Sequence, residues 1–172
     1  MGGVRLKAHP EGFQIDDTGA RAFVNVPDAE EIAVVDLAKL EVTEALPTQG
    51  HRSNFPMAFD PEARRVLVVF RTPARLLVLS AADKAVVADL DTCGDADDVF
   101  VDPKRHRVYV SCGTGAIDVL EEKTGRYQPI GRIGTAPGAR TSLFVPELDR
   151  LFLAVRAAGP IPAAIWVFRP VP

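Results

Sequence analysis

The segment Phe59-Asp60-Pro61-Glu62-Ala63-Arg64-Arg65-Val66-Leu67-Val68-Val69 reads as a strand, a tight turn and a second strand. The chain writes this plan four times. The other copies run from Ile15 to Val24, from Val101 to Val110 and from Phe144 to Leu153. An arginine closes each turn, at Arg21, Arg65, Arg107 and Arg150, so the intervals are 44, 42 and 43 residues. Self-similarity at such a period marks a repeat architecture, in which one unit cannot bury its own faces and must stack on the next. It constrains the fold strongly and the chemistry hardly at all.

Each repeat spells up to four short strands. The first gives Phe13 to Asp16, Arg21 to Val26, Ile32 to Leu37 and Glu41 to Leu46. The second gives Met57 to Asp60, Arg65 to Arg71, Leu76 to Leu79 and Ala85 to Leu90; the third gives Val99 to Asp102, Arg107 to Cys112, Ala116 to Leu120 and Tyr127 to Ile133. The last gives three, at Leu143 to Val145, Arg150 to Val155 and Ala164 to Phe168. Val66-Leu67-Val68-Val69-Phe70 and Leu76-Leu77-Val78-Leu79 are unbroken apolar runs, so both faces of those strands must be covered. The fourth strands, such as Glu41 to Leu46, alternate and belong on a wetter edge. Covered inner strands with a wet outer one predict an all-β fold, a β-propeller of four-stranded antiparallel blades with four blades in this chain. The fourteen prolines and thirteen glycines fit a chain that turns every few residues. The best helical stretch, Ala29 to Lys39, contains Ile32-Ala33-Val34-Val35, which reads as strand in the other repeats.

The 172 residues form one propeller domain on this reading, with repeats over about 8–50, 51–94, 95–136 and 137–172. Val4 to Lys7 alternates apolar and basic and is expected to close the last blade as its outer strand. Within one chain this makes a four-bladed ring; between two chains it makes an eight-bladed homodimer. A fragment of a seven-bladed ring is the third arrangement. The Val, Leu and Phe side chains between blades suit the modest wedge angle of larger rings, which puts self-association ahead of the lone ring.

Residues inside this pattern resemble a known family. Asp102-Pro103 with Arg107-Val108-Tyr109-Val110-Ser111, and Phe23-Val24-Asn25-Val26-Pro27-Asp28 with Ile32-Ala33-Val34-Val35-Asp36, are similar to the repeats of YVTN (YncE-like) β-propellers, relatives of the WD40-like architecture. The phrases at 9–13, 72–78 and 136–144 resemble the C-terminal part of an uncharacterised bacterial subgroup. Pro61-Glu62-Ala63 and Pro146-Glu147-Leu148 depart from the family's usual Pro-Asp-Gly turn. The resemblance implies a seven-bladed, exported protein of about twice this length that offers a binding platform without established catalytic residues.

Where a ligand would sit follows from comparing the repeats with one another. Positions that agree across copies serve packing; unequal polar positions at one topological place are candidates for function. Entering the four innermost strands, the equivalent residues are Glu11, Phe55, Asp97 and Arg140, followed by Gly12, Pro56, Asp98 and Thr141. The links before them add His51 and Asn54. Glu11, His51, Asn54, Asp97, Asp98 and Arg140 are therefore the ligand-binding candidates at one end of the channel. Glu11, Asn54, Asp97 and Asp98 offer oxygens for a divalent cation such as calcium. The plainer alternative is that all of them are solvated loop groups in Asx-turns and rim ion pairs.

Three functions stay open: a non-catalytic binding or scaffold propeller taking a small-molecule or protein ligand, a metal-dependent lactonase-like hydrolase, and a cofactor-carrying propeller. No Cys-x-x-Cys-His, His-Glu-x-x-His or Gly-x-Ser-x-Gly motif points to haem, zinc or a serine nucleophile. The net charge of -3 speaks against a dedicated nucleic-acid binder, and no run of 18 apolar residues writes a membrane span. Met1 to Lys7 lacks a signal peptide's apolar stretch. The chain is periplasmic or secreted if its full-length gene carries such a signal, and cytoplasmic otherwise. Cys93 and Cys112 fall at the same end of the propeller and are expected as two separate buried thiols rather than a disulfide.

Overall fold

The computed structural model describes residues 2–171 and divides the chain into two compact units, Met1–Asp91 and Thr92–Pro172. Both are all-β, of propeller type, with one blade per repeat.

The first unit holds two antiparallel sheets. One is β1 (Phe13–Ile15), β2 (Arg21–Val26), β3 (Glu31–Asp36) and β4 (Glu41–Pro47), in that spatial order. The other is β5 (Arg52–Asp60), β6 (Arg65–Thr72), β7 (Ala74–Ser80) and β8 (Val86–Asp91). The second unit has β9 (Ala96–Asp102), β10 (Arg107–Cys112), β11 (Ala116–Lys123) and β12 (Arg126–Gly134), then a three-stranded sheet of β13 (Ser142–Val145), β14 (Arg150–Val155) and β15 (Ala164–Phe168). Among the described residues the only helical pieces are two 3-10 turns, Pro27–Ala29 and Pro146–Leu148. No helix there is long and apolar enough to cross a membrane.

The repeated turn has a local cause. Asp16, Asp60 and Asp102 each turn a carboxylate oxygen onto backbone N–H groups further along, an Asx-turn that reverses the chain. The residue before the strand arginine is left-handed in three copies, at Arg64 (φ 52°), His106 (φ 51°) and Asp149 (φ 53°). The fourth copy uses Gly19 at φ 70°. After the turn the strand runs apolar on both faces. In the first unit Phe23, Ile32 and Val34 pack against Val66, Val68, Phe70 and Leu77. In the second, Tyr109, Ile117 and Val119 pack against Leu151, Leu153 and Val155. A register shift recurs at one repeat position, between Val34 and Val35, Val78 and Leu79, and Val119 and Leu120, so each outer strand is bulged against its neighbour.

Two expectations differ from the structure. Residues 4–7 form no strand. Val4 and Leu6 instead lie against Ala22, Val24, Val26, Ala33 and Val35, covering one face of the first sheet. The alternation gives the segment an apolar side, and that side has found a sheet face rather than a sheet edge. The cysteines are not separate thiols: Cys93 and Cys112 form a disulfide with Cα atoms 5.8 Å apart. The β8–β9 link and the end of β10 meet in space, a proximity that the 19-residue separation in sequence conceals.

Candidate functional site

In the first unit, the loop end is built around a bulge. The pairing of β5 with β6 shifts between Asn54 and Met57, which leaves Phe55, Pro56 and Met57 with carbonyls aimed at the neighbouring sheet. Gly12 N–H and the Asn25 side-chain amide both donate to Phe55 O, at 3.1 Å each, and the Gln14 amide donates to Met57 O at 3.1 Å. Asn54 completes the joint. Its Nδ2 donates to Asn25 Oδ1 at 3.0 Å and to Glu31 O at 3.1 Å, while its own Oδ1 is buried without a partner. Asn25 and Asn54 are both wholly buried. Gly12 is required by contact, since a Cβ there would stand 2.5 Å from Phe55 O.

The remaining candidates of this unit lie nearer solvent. The half-exposed Glu11 sits 3.7 Å from Nε2 of the exposed His9. His51 is mostly buried, stacked edge-on against Phe70 at 5.3 Å, with Nε2 2.8 Å from Asp89 Oδ2. Arg75 holds the other oxygen of Asp89 at 2.8 Å. Burial pulls the Asp89 carboxyl upward, but the hydrogen bonds from Arg75 and His51 win and hold it below the usual carboxylate range.

In the second unit, the start of β9 carries Asp97 and Asp98, and the link into β13 carries Arg140. Asp95, left-handed at φ 60°, forms a close ion pair with Arg140, whose Nε is also 3.6 Å from Asp97 Oδ2. Asp98 accepts from Ser142 N–H at 2.6 Å, and the hydroxyls of Ser142 and Ser111 are 2.7 Å apart. Burial raises the Asp98 carboxyl above its ordinary value; the Ser142 N–H opposes this, and the neighbouring Asp97 charge adds to it. The link before β9 is fastened by the disulfide, by Gly113 N–H to Asp95 O at 2.8 Å and by Gly138 N–H to Gly113 O at 2.7 Å.

Within each unit the candidates are thus brought beside partners, but not beside one another as a cation cage. Glu11 and Asn54 are engaged separately, and Asp97 and Asp98 face Arg140 and Ser142 respectively. Among the described residues no three His, Cys, Asp or Glu side chains gather at metal-binding spacing. Sequence reasoning missed Ser111 and Ser142 and took Asn25 only as a loop residue. A signal was present. Asn25 and Ser111 occupy the same place in their second strands, where the other repeats have Val69 and Ala154, so a polar residue interrupts an apolar run.

The sequence matches no family model and no curated protein sequence. Solved structures match it well in shape. Hydrazine synthase of Kuenenia stuttgartiensis aligns with a TM-score of 0.80 at 20% identity, over 93% of this chain and 46% of that one. A chain of a mitotic checkpoint complex aligns with a TM-score of 0.78 at 14% identity, over 96% and 51%. A protein of Bacteroides uniformis, provisionally assigned as a 6-phosphogluconolactonase, aligns with a TM-score of 0.72 at 15% identity, over 86% and 48%. The chain therefore spans about half the length of these structures. At such identities the likeness establishes the β-propeller fold and leaves the YVTN resemblance resting on the residues alone.

Proposed function

We propose that the chain is a non-catalytic binding or scaffold propeller that uses the loop end of each unit, with Glu11, His51 and Asn54 in the first and Asp97, Asp98 and Arg140 in the second. One observation carries this reading: two of the candidates, the buried Asn54 and the half-buried Asp98, are committed to holding neighbouring strands together. Asn54 ties β5 to β2 and β3 through Asn25 and Glu31, and Asp98 ties β9 to β13 through Ser142 N–H. A group that must release its partners to bind metal or move a proton is poorly suited to catalysis. The half-exposed Arg140 with Asp95 and Asp97 is left as a polar rim fit for ligand recognition. The disulfide fits a chain that works in an oxidising compartment.

The test is thermal unfolding with calcium, magnesium or zinc, run beside a lactone hydrolysis assay and a visible absorption spectrum. A scaffold gives an unchanged midpoint, no hydrolysis and a colourless protein. A metal-dependent rise in midpoint with hydrolysis would install the lactonase-like reading, and a coloured protein the cofactor-carrying one.

Self-association is the second part of the proposal. Phe13 and Ile15 are 60% and 50% exposed on one sheet face of the first unit, and Leu143, Ile165 and Val167 are 53–61% exposed on the last sheet. Inside each unit the two sheets pack such faces together, so a second copy is the natural cover. Sedimentation should give a dimer or larger; a monomer at all concentrations would exclude it.

A further inference from the structure

We infer that the loop end of the first unit binds a neutral saccharide, stacked on the Phe55 ring and the Arg71 guanidinium. This rests on the reading of the loop end as a binding end and names the ligand class for that unit. The repeats single Phe55 out. At its place entering the innermost strand the other three put Glu11, Asp97 and Arg140, groups at home in water, and only this repeat puts an aromatic ring. Phe55 belongs to the second repeat, which has a repeat before it and a repeat after it in the chain, so it is not a residue of either end of the array.

The backbone aims the ring. The shift of β5 against β6 between Asn54 and Met57 is a bulge, a device that re-aims side chains. Ser53, just before it, is left-handed at φ 61°, a conformation that a residue other than glycine keeps only where its surroundings hold it. Here they do. The buried Asn54 is tied to Asn25 and to Glu31 O, Phe55 O accepts from Gly12 N–H and the Asn25 amide, and Pro56 is buried. Between these fixed points the Phe55 side chain stays half-buried. The guanidinium carbon of Arg71, near the end of β6, stands 4.3 Å from the ring centroid. Ring and guanidinium together offer a flat apolar surface edged with N–H donors.

Charge and shape choose the ligand. Arg71 puts a positive charge on the ring and so turns away a cation. Glu11, the residue before Gly12, and the exposed Asp28 on the turn after β2 put carboxylates at the same end and turn away an anion. The other ions of this end pair off: Arg52 with Glu30 at 3.1 Å, Lys7 with Glu31, and Arg75 with Asp89 and Asp91. What fits is a neutral molecule with one apolar face and a rim of groups that both donate and accept hydrogen bonds. A pyranose ring has both. Its C–H face lies flat on an aromatic ring and displaces water from it, while its hydroxyls accept from Arg71 and donate to Glu11.

The probe is cellotetraose, a neutral β-1,4-linked glucose tetramer whose equatorial substituents leave flat C–H faces, titrated into the whole chain by calorimetry. Saturable binding is expected with a Kd of about a millimolar or tighter. Phe55→Leu keeps an apolar side chain but no flat ring, and should weaken binding by about threefold or more with the circular dichroism unchanged. Phe55→Trp should restore it. Should the leucine variant not fold, saturation-transfer NMR on the unaltered chain gives the same reading, with irradiation of aromatic protons reaching the sugar C–H protons. The glucosamine and glucuronate tetramers carry the same linkage with ammonium or carboxylate groups and should bind more weakly than cellotetraose. No saturation up to about ten millimolar, equal binding by Phe55→Leu, no transfer from aromatic protons, or tighter binding of either charged tetramer would overturn the inference. These failures leave the non-catalytic reading standing, since its own test is run with metals and a lactone. Metal-dependent lactone hydrolysis would remove that reading while a Phe55-dependent saccharide site stood.

Discussion

The side-chain amide of Asn54 donates to the side-chain carbonyl of Asn25 at 3.0 Å, and neither residue has any exposed surface. The pair joins two sheets of the first unit where the backbone of β5 bulges away from its own neighbour. Asn54→Ala removes a donor from two buried acceptors, Asn25 Oδ1 and Glu31 O. It should destabilise the protein by about 2–3 kcal/mol in urea unfolding, because a buried acceptor left alone keeps its full desolvation penalty. Asn54→Asp should be worse at neutral pH, placing a carboxylate against both acceptors, and should recover as acid protonates it. Equal stability of the two variants would show that the amide is not the joint.

The Cys93–Cys112 disulfide closes a loop of sequence separation 19, for which chain entropy gives about 3 kcal/mol. Replacing both cysteines with serine should lower the midpoint by about 6–12 °C in a protein of this size. Cys93 and Cys112 are 3% and 0% exposed, so a reductant should act slowly on the folded chain and quickly once it is partly unfolded. Free thiols on the purified protein, counted under denaturing conditions, would refute the pairing.

Gly12 and Gly113 both lack room for a side chain, but for different reasons. A Cβ at Gly12 meets the backbone carbonyl of Phe55 at 2.5 Å, whereas one at Gly113 meets the side-chain carboxylate of Asp95. A carboxylate can swing aside and a paired carbonyl cannot. Gly12→Ala should therefore cost about 1–3 kcal/mol in stability. Gly113→Ala should cost less and instead release Arg140 from Asp95, which heteronuclear NMR of the arginine side chains would register. A costlier Gly113→Ala would reverse the argument.

What the sequence discloses differs by element. β2, β10, β14 and β15 lie at the expected residues because an arginine after a turn and an apolar run are local signals. β5 and β9 begin earlier than expected, at Arg52 and Ala96, because those starts are fixed by hydrogen bonds to the neighbouring sheet. Val4 to Lys7 carries strand alternation, yet alternation specifies an apolar face and not the edge that would pair with it. The candidate residues were legible as unequal polar positions among the repeats. That Asn54 is a buried donor, and that Asp98 grips Ser142, depends on distances that no single repeat contains.

The acid limb of stability should carry two opposite signatures. The hydrogen bonds and charge of Arg105 hold the Asp149 carboxyl down to about 2, below its ordinary 3.8. A carboxyl that is more acidic in the fold than in the open chain stabilises above the open-chain value. That contribution is lost as pH falls from about 3.8 towards about 2. Asp98 behaves in the other sense. Burial raises its carboxyl, so its ionised form is disfavoured in the fold; the penalty is absent below the open-chain value and complete once pH exceeds the raised one. Asp149→Asn should flatten the loss of stability at the acid end. Asp98→Asn should keep the Ser142 N–H accepted by the amide oxygen and leave neutral-pH stability equal or higher. Carboxyl carbon NMR titration gives the direct check, with Asp149 the more acidic of the two. If Asp98 titrates below the ordinary aspartate value, its carboxylate is stabilised rather than strained at the joint, and Asp98→Asn should then destabilise.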